Sequence, residues 1–209
     1  MNLVFDLDGT LIDSRPRLYT LYRQLVPTTA LDFDRYWNFK RAKVPHNVLL
    51  RQQEGFSDEQ VALFEAEWMA RIETPDMLAL DINFPDMPQT LERLARQATL
   101  HVCTARQWRE PVLDQLKRLG LAQYFNTVLV TLQSRSKDAL IHAHVPDRGP
   151  VDWMIGDTGK DIEVGRLLGM RTCAVLSGFL SLDSLRPYRP DLILNSATDF
   201  YLDKQDTLA

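Results

Sequence analysis

Two acidic residues near the start of the chain, Asp6 and Asp8, lie one residue apart in the segment VFDLDGTLIDS. If the apolar residues before them form a buried strand, both carboxylates emerge at its carboxyl end, where open α/β sheets bind ligands. Alternation along the strand places them on one side, unless the turn at Gly9 re-aims the second. Two adjacent negative charges persist when a cation such as Mg²⁺ bridges them or when one carboxyl holds a proton. The alternative is an ordinary Asp-Gly turn in which the side chain only caps the backbone.

The elements that would position these aspartates are short strands alternating with helices after residue 88. The segments TLHVCT, TVLVTL, VDWMI and RTCAVL predict strands, and LILN suggests a last one. PQTLERLARQA predicts a helix, and a second helix over residues 110–119 stops at Gly120, a typical left-handed cap. This order predicts an α/β fold: a Rossmann-like parallel sheet with helices on both faces and the opening LVFDL as its central strand.

Residues 16–83 have a different, helical pattern. In DEQVALFEAEWMARIE, apolar residues recur at helical spacing, which is typical of the core of a helical bundle: Val61, Phe64, Trp68 and Ile72. Prolines interrupt both flanks, in DSRPR and NFPDMP. We therefore predict an α/β core domain formed by residues 1–15 and 84–209, with an inserted all-helical cap domain over residues 16–83.

Composition limits the classes of function. With 209 residues and 45% hydrophobic content the chain can bury a sizeable core. A formal net charge of -4 gives no electrostatic reason to expect nucleic acid or an anionic membrane as partner. Two cysteines do not suggest a disulfide framework, and no segment approaches the length of a membrane span. We expect a cytoplasmic protein, monomer or homodimer, with a small-molecule partner.

Four motifs in order resemble those of the haloacid dehalogenase-like superfamily. VFDLDGTLIDS is similar to the first motif, Thr104 ends the strand LHVCT as in the second, and Lys137 in SRSKDAL precedes a helix as in the third. IGDTGKDIEVGRLLGM resembles the fourth, with Asp157 and Asp161 four residues apart. The insertion resembles the helical cap of the phosphoglycolate phosphatase and β-phosphoglucomutase branch.

The resemblance implies roles in phosphoryl transfer. Asp6 would attack phosphorus and form an aspartyl-phosphate, and Asp8 would protonate the leaving oxygen and then activate water. Superfamily members that act on carbon-halogen bonds lack this second aspartate. Thr104, Ala105 and Lys137 would bind the phosphate, although a lysine at a helix start is more often solvated.

The resemblance also implies Mg²⁺ as cofactor, held by Asp6, the main-chain carbonyl of Asp8, and Asp157. Asp161 would bind the metal or hold Lys137, or it is a surface acid of the helix. Gly165 and Gly169 are expected to form a closely packed face of that helix, because interior glycines destabilise helices and need a reason. His142 and His144 alternate like a ligand pair, but nothing near them in sequence resembles a metal site.

Selection of the substrate is expected in the cap. NFKRAKVPHN is its one basic cluster, and Arg41, Lys43 and His46 would meet the anionic part of the substrate unless the cluster is a solvated face. Arg106, after the second motif, either reaches a phosphate or faces solvent. Cys103 beside Thr104 is expected to pack rather than react.

The sequence therefore predicts a Mg²⁺-dependent phosphatase of a small phosphorylated metabolite. A phosphomutase has the same parts and differs in passing the phosphoryl group to a sugar hydroxyl instead of water. A binding or signalling module of the receiver type would share the phosphorylatable aspartate, but the long cap and Asp8 argue against it.

Overall fold

The computed structural model describes residues 1–202. Its strands are β1 Asn2–Phe5, β2 Ile12–Asp13, β3 Ile82–Asn83, β4 Thr99–Thr104, β5 Phe125–Val130, β6 Trp153–Gly156, β7 Arg171–Val175 and β8 Leu192–Leu194. Six of them form one parallel sheet in the order β5-β4-β1-β6-β7-β8. Strands β4, β1 and β6 are neighbours in this order, so their carboxyl ends lie side by side. The second, first and fourth motifs lie at these three ends.

The helices are α1 Arg15–Leu25, α2 Phe33–Arg41, α3 His46–Leu49, α4 Asp58–Arg71, α5 Pro75–Leu78, α6 Met87–Ala95, α7 Arg109–Arg118, α8 Lys137–His144, α9 Gly159–Leu167 and α10 Leu182–Leu185. None of the helices in residues 1–202 has both the length and the apolar composition needed to cross a membrane.

Helices cover both faces of the sheet, as predicted. Leu3 and Phe5 of β1 pack in one apolar cluster with α6 and α7, whereas Val4 packs in another with α8 and α9. Because successive strand residues point to opposite faces, a strand buried on both sides is apolar throughout, which explains the continuous run at the start of the chain. The predicted α/β fold class is confirmed.

The central strand is shorter than its sequence suggests. β1 ends at Phe5, so Asp6 and Asp8 lie in the loop that follows, and Gly9 turns that loop with φ of 78°. The backbone N–H of Asp6 still donates to the Ile155 carbonyl of β6 at 2.9 Å, which fixes the first carboxylate at the edge of the sheet.

Helices α1 to α5 occupy the segment between β2 and β3, which pair antiparallel where the chain leaves and re-enters the α/β part. These helices share an apolar cluster of their own. Val61, Phe64 and Ile72 are buried in it and Trp68 packs against it. We refer to residues 16–83 as the cap; its boundaries as a domain remain a prediction.

Gly165, inside α9, and Gly169, just after its end, have different roles. A Cβ on Gly165 would meet Thr172 Cγ2 at 2.6 Å and Met154 Cβ at 2.8 Å, so this glycine is needed for close packing. A Cβ on Gly169 would meet nothing within 4 Å, which contradicts the packing role expected for it. Gly169 instead has φ of 69°, the left-handed conformation that ends a helix.

Candidate active site

Asp6 is held by a lysine that the sheet topology brings from far along the chain. Lys137 is the first residue of α8, which the Ser136 side chain caps. Its ammonium donates to Asp6 Oδ1 at 2.7 Å and to Asp161 Oδ1 at 2.6 Å. Burial opposes the charge on Lys137, but the two carboxylates outweigh it and hold its pKa above the usual range.

Asp157, directly after β6, brings a third carboxylate to the same place. One oxygen each from Asp6, Asp157 and Asp161 lie within 4.8 Å of one another. Burial, opposed by Lys137, raises the pKa of Asp6 to about 6. Burial and the charge of Asp6 raise the pKa of Asp157 well above its usual range. Three buried acids around one ammonium leave excess negative charge.

The free lone pairs in this cluster belong to Asp157 and Asp6. Asp157 Oδ2 accepts from the Phe179 backbone at 2.6 Å, and its Oδ1 is buried without a partner among residues 1–202. Side chains on Gly9 or Gly178 would overlap with Asp157, so both glycines keep its surroundings open. Buried carboxylate oxygens with unused lone pairs are the donors that a hard cation such as Mg²⁺ takes, so the site fits that metal.

Asp161 is engaged differently. Its Oδ1 accepts from Lys137, and its Oδ2 accepts from the Thr158 N–H at 3.1 Å and the Thr158 hydroxyl at 2.6 Å, at the start of α9. Both oxygens therefore have protein partners, and the carboxylate orients Lys137. The surface position considered for Asp161 is wrong, because the residue is fully buried.

Asp8 lies between two arginines rather than beside Lys137. Arg106 donates from Nε at 2.6 Å and from Nη2 at 2.8 Å, and Arg17 of α1 also pairs with Asp8. Burial opposes ionisation, but the two guanidinium groups hold the pKa of Asp8 below its usual range. The sequence allowed Arg106 either to contact a phosphate or to face solvent. In the structure its side chain is buried beside Asp8.

A fully buried acid, Asp81, completes this second network. It accepts from Arg17 Nε at 3.1 Å, from Arg106 Nη2 at 3.3 Å and from Gln115 Nε2 at 2.7 Å. Arg17, Asp81 and Gln115 were not among the residues predicted from the sequence. No local pattern identifies them, because each pairs with residues tens of positions away in the chain.

A cavity of about 270 Å³ lies over these groups. Its walls include six candidate site residues of the sequence and seven others: Asp6, Asp8, Thr104, Ala105, Arg106 and Lys137, with Arg17, Leu18, Ile72, Glu73, Thr158, Lys160 and Phe179. A second cavity of similar size, about 280 Å³, lies between α5 and α7 and contains none of the four motifs' residues. We take the first as the candidate active site because Asp6 of the acidic cluster and its partner Lys137 line it.

Arg41, Lys43 and His46 do not line this pocket. Arg41 donates to the Leu176 carbonyl at 3.3 Å, and Lys43 donates to the Tyr188 hydroxyl at 2.5 Å. His46 bonds to the Tyr36 hydroxyl at 3.0 Å inside the aromatic core of the cap. The geometry gives no support to their expected contact with substrate: two of them join the cap to the core, and the third is a packed core residue.

The contacts of His142, His144 and Cys103 indicate structural rather than catalytic roles. His142 contacts Arg148, and His144 bonds to the Leu140 carbonyl, so the pair does not converge. Burial raises the pKa of the Cys103 thiol to about 12, which makes it a poor nucleophile.

Comparisons with known proteins identify the family of this chain. Residues 3–175 match the model of the haloacid dehalogenase-like hydrolase family, and the chain belongs to that family. A phosphoglycolate phosphatase of Synechococcus elongatus is 25% identical, over 94% of this chain and 93% of its own. Pyrophosphatase PpaX of Bacillus velezensis is 27% identical, again over 94% and 93%. A haloacid dehalogenase-like hydrolase from Streptococcus pneumoniae superposes with a TM-score of 0.76 at 21% identity, over 94% of both chains, and supports the fold.

Proposed function

We propose that this chain is a Mg²⁺-dependent phosphatase that hydrolyses a small phosphate monoester through an aspartyl-phosphate at Asp6. The observation that carries the proposal is the buried cluster of Asp6, Lys137, Asp157 and Asp161, of which Asp6 and Lys137 line a pocket sized for a small ester. The family and the phosphatases among the relatives support the same reaction class.

In the first step an oxygen of Asp6 attacks phosphorus and the bond between phosphorus and the ester oxygen breaks. Lys137 has a hydrogen bond to Asp6 and lines the pocket, so its charge offsets the negative charge of the phosphoryl oxygens. Thr104 and Ala105, at the end of β4, line the same pocket and would bind those oxygens. Asp161 keeps Lys137 in that position. Mg²⁺, held by Asp6, Asp157 and the Asp8 carbonyl, would supply further positive charge to the phosphoryl group.

The ionised form of Asp8 is the form that the second step needs. Between Arg17 and Arg106 it is ionised, so it accepts a proton from the water that attacks the aspartyl-phosphate. To protonate the leaving oxygen in the first step it must first hold a proton, which requires these arginine contacts to lengthen.

The test is phosphate release from an aryl phosphate with Mg²⁺ and with excess chelator, together with mass analysis of Asp8→Asn. An aryl leaving group departs without the acid that Asp8 supplies, whereas water still needs its base, so the variant is expected to retain a phosphoryl group on Asp6. Full activity in chelator would contradict the metal requirement, and a phosphoryl group on another residue would contradict the nucleophile. Transfer to an added sugar phosphate with no free phosphate would identify a phosphomutase instead.

A further inference from the structure

Two residues of the pocket wall each have one buried side-chain atom with no hydrogen-bond partner among residues 1–202: Arg106 Nη1 and Glu73 Oε2. Both residues line the pocket and both are more than nine-tenths buried. One is a donor and the other an acceptor, yet they do not pair with each other. A buried polar group without a partner destabilises the protein, so the two atoms indicate a ligand that supplies one acceptor and one donor.

Both side chains are fixed by their remaining contacts. The other oxygen of Glu73 accepts from the Gln107 backbone at 2.8 Å, which joins the cap to the loop after β4. The remaining nitrogens of Arg106 donate to Asp8, Asp81 and Gln115. The unpartnered donor and acceptor are therefore held in place before any ligand arrives.

A hydroxyl group meets both requirements, because it donates one hydrogen bond and accepts others. A carboxylate or phosphate only accepts, and would leave Glu73 Oε2 facing a like charge. An alkyl group would leave both atoms unsatisfied.

The charges around the pocket argue against a second anion. Each cation among its lining residues already faces a carboxylate: Arg17 and Arg106 pair with Asp8 and Asp81, Lys137 with Asp6 and Asp161, and Lys160 with Glu163. Glu73 adds a negative charge. The first phosphoryl group has Lys137 and the metal to meet it, whereas an additional anion would meet only cations that already face carboxylates, with the negative charge of Glu73 beside them.

We propose that Arg106 and Glu73 select a phosphate monoester whose leaving group carries hydroxyl groups, such as a polyol or sugar, and that they discriminate against a leaving group with a second anion. This inference rests on the proposed phosphatase function. It separates this chain from the relatives named for phosphoglycolate, whose leaving group bears a carboxylate.

The experiment compares three esters with two-carbon leaving groups that differ only in the terminal group: 2-hydroxyethyl phosphate, ethyl phosphate and phosphoglycolate. A site built to bind a substrate hydroxyl disfavours analogues that lack it. We expect kcat/KM for 2-hydroxyethyl phosphate to exceed that for each of the others by about tenfold or more. Equal values for the hydroxylated and plain esters, or preference for phosphoglycolate, would overturn the inference while leaving the phosphatase intact. No hydrolysis of any ester or of an aryl phosphate would overturn both.

The substitution Glu73→Gln tests whether Glu73 is responsible for the preference for the hydroxylated ester. Glu73→Gln replaces the unpartnered acceptor by a donor and keeps an oxygen for the Gln107 N–H. We expect the ratio of kcat/KM for the hydroxylated ester to that for ethyl phosphate to fall about tenfold. Glu65→Gln, the same change at an exposed position of α4, is the matched control and should keep the wild-type ratio. An unchanged ratio in a folded Glu73→Gln protein would show that selection lies elsewhere; should that variant not fold, the wild-type comparison of esters still decides.

Discussion

At the scale of single residues, the site is a problem of charge balance. Asp6, Asp157 and Asp161 surround one ammonium in a space from which water is largely excluded, and burial penalises each ionised carboxylate. A divalent cation removes that penalty. The burial and the neighbouring negative charge that raise the pKa of Asp157 therefore also favour metal binding.

Replacing Asp6 by asparagine tests the nucleophile. An amide cannot form the aspartyl-phosphate, so we expect turnover to fall to background while the protein stays folded, with equal or higher stability without metal because one repelling acid is gone. Phosphate release and thermal unfolding measure the two effects. Asp183→Asn, at a side chain that is 91% exposed, is the control. Near-normal turnover by Asp6→Asn would exclude the covalent mechanism.

The different surroundings of Asp157 and Asp161 predict different defects. Asp157→Asn removes a carboxylate that has an unused oxygen, so the Mg²⁺ concentration for half-maximal activity should rise by about tenfold or more. Asp161→Asn loosens Lys137, so kcat should fall with a smaller change in the Mg²⁺ requirement. Mg²⁺ titrations of both variants compare them. Equal shifts in the Mg²⁺ requirement would place Asp161 on the metal as well.

At the scale of elements, the close approach of α9 to β6 and β7 depends on Gly165. Gly165→Ala would push a methyl group against Met154 and Thr172. Overpacking costs about 1–3 kcal/mol, against about 1 kcal/mol gained from the better helix propensity of alanine. We expect a net loss of up to about 2 kcal/mol in the free energy of unfolding, measured by urea denaturation. Gly149→Ala, where a Cβ meets nothing within 4 Å, should stay within about 0.5 kcal/mol of wild type.

The packing of the cap helices depends on a neutral histidine. Burial, with a smaller effect of Lys40, lowers the pKa of His46 to about 2. The unfolded chain takes up the proton near pH 6.5 and the folded chain does not, so this contribution to stability is complete above pH 6.5 and is lost as the pH falls. Between pH 7.5 and 5 the His46 contribution alone falls by about 2 kcal/mol, equivalent to about 4–8 °C in Tm, and it is measured as the difference in pH dependence between wild type and a His46 variant.

Thermal unfolding over that pH range checks the effect. His46→Gln should unfold at lower temperature at pH 7.5, because the packing and the Tyr36 contact change, but should lose less stability on acidification. His142→Gln, at an exposed histidine, should keep the wild-type pH dependence. The same pH dependence in all three proteins would mean that His46 is not the group responsible.

At the scale of the whole molecule, cap and core meet at the site itself. Arg17 of α1 reaches from the cap to Asp8, and Glu73 bonds to the loop after β4. Movement of the cap would therefore change the contacts of the proposed acid and base and of the hydroxyl-selecting pair together.

Metal binding should stabilise the whole fold. A ligand that binds only the folded state adds about 2.7 kcal/mol at one hundred times its Kd, which corresponds to about 5–10 °C in Tm for a chain of this size. We expect Mg²⁺ at pH 8 to raise Tm by this order and chelator to reverse it. Asp157→Asn should show a much smaller increase, and an increase equal to wild type would contradict the assigned metal site.

The sequence by itself determined the family, the α/β fold and the order of strands and helices. These follow from local signals: apolar runs, helical periodicity, glycine caps and four short motifs. It also identified Asp6, Lys137, Asp157 and Asp161, which the structure brings together.

Tertiary structure alone decided which of these groups pair and what surrounds the substrate. Asp8 faces Arg17 and Arg106 instead of the Lys137 cluster because β1 ends early and the loop turns at Gly9. The basic segment of the cap lies off the pocket, whereas Glu73 lines it. Such pairings join residues far apart in the chain, and their energies depend on burial and orientation that no local pattern encodes.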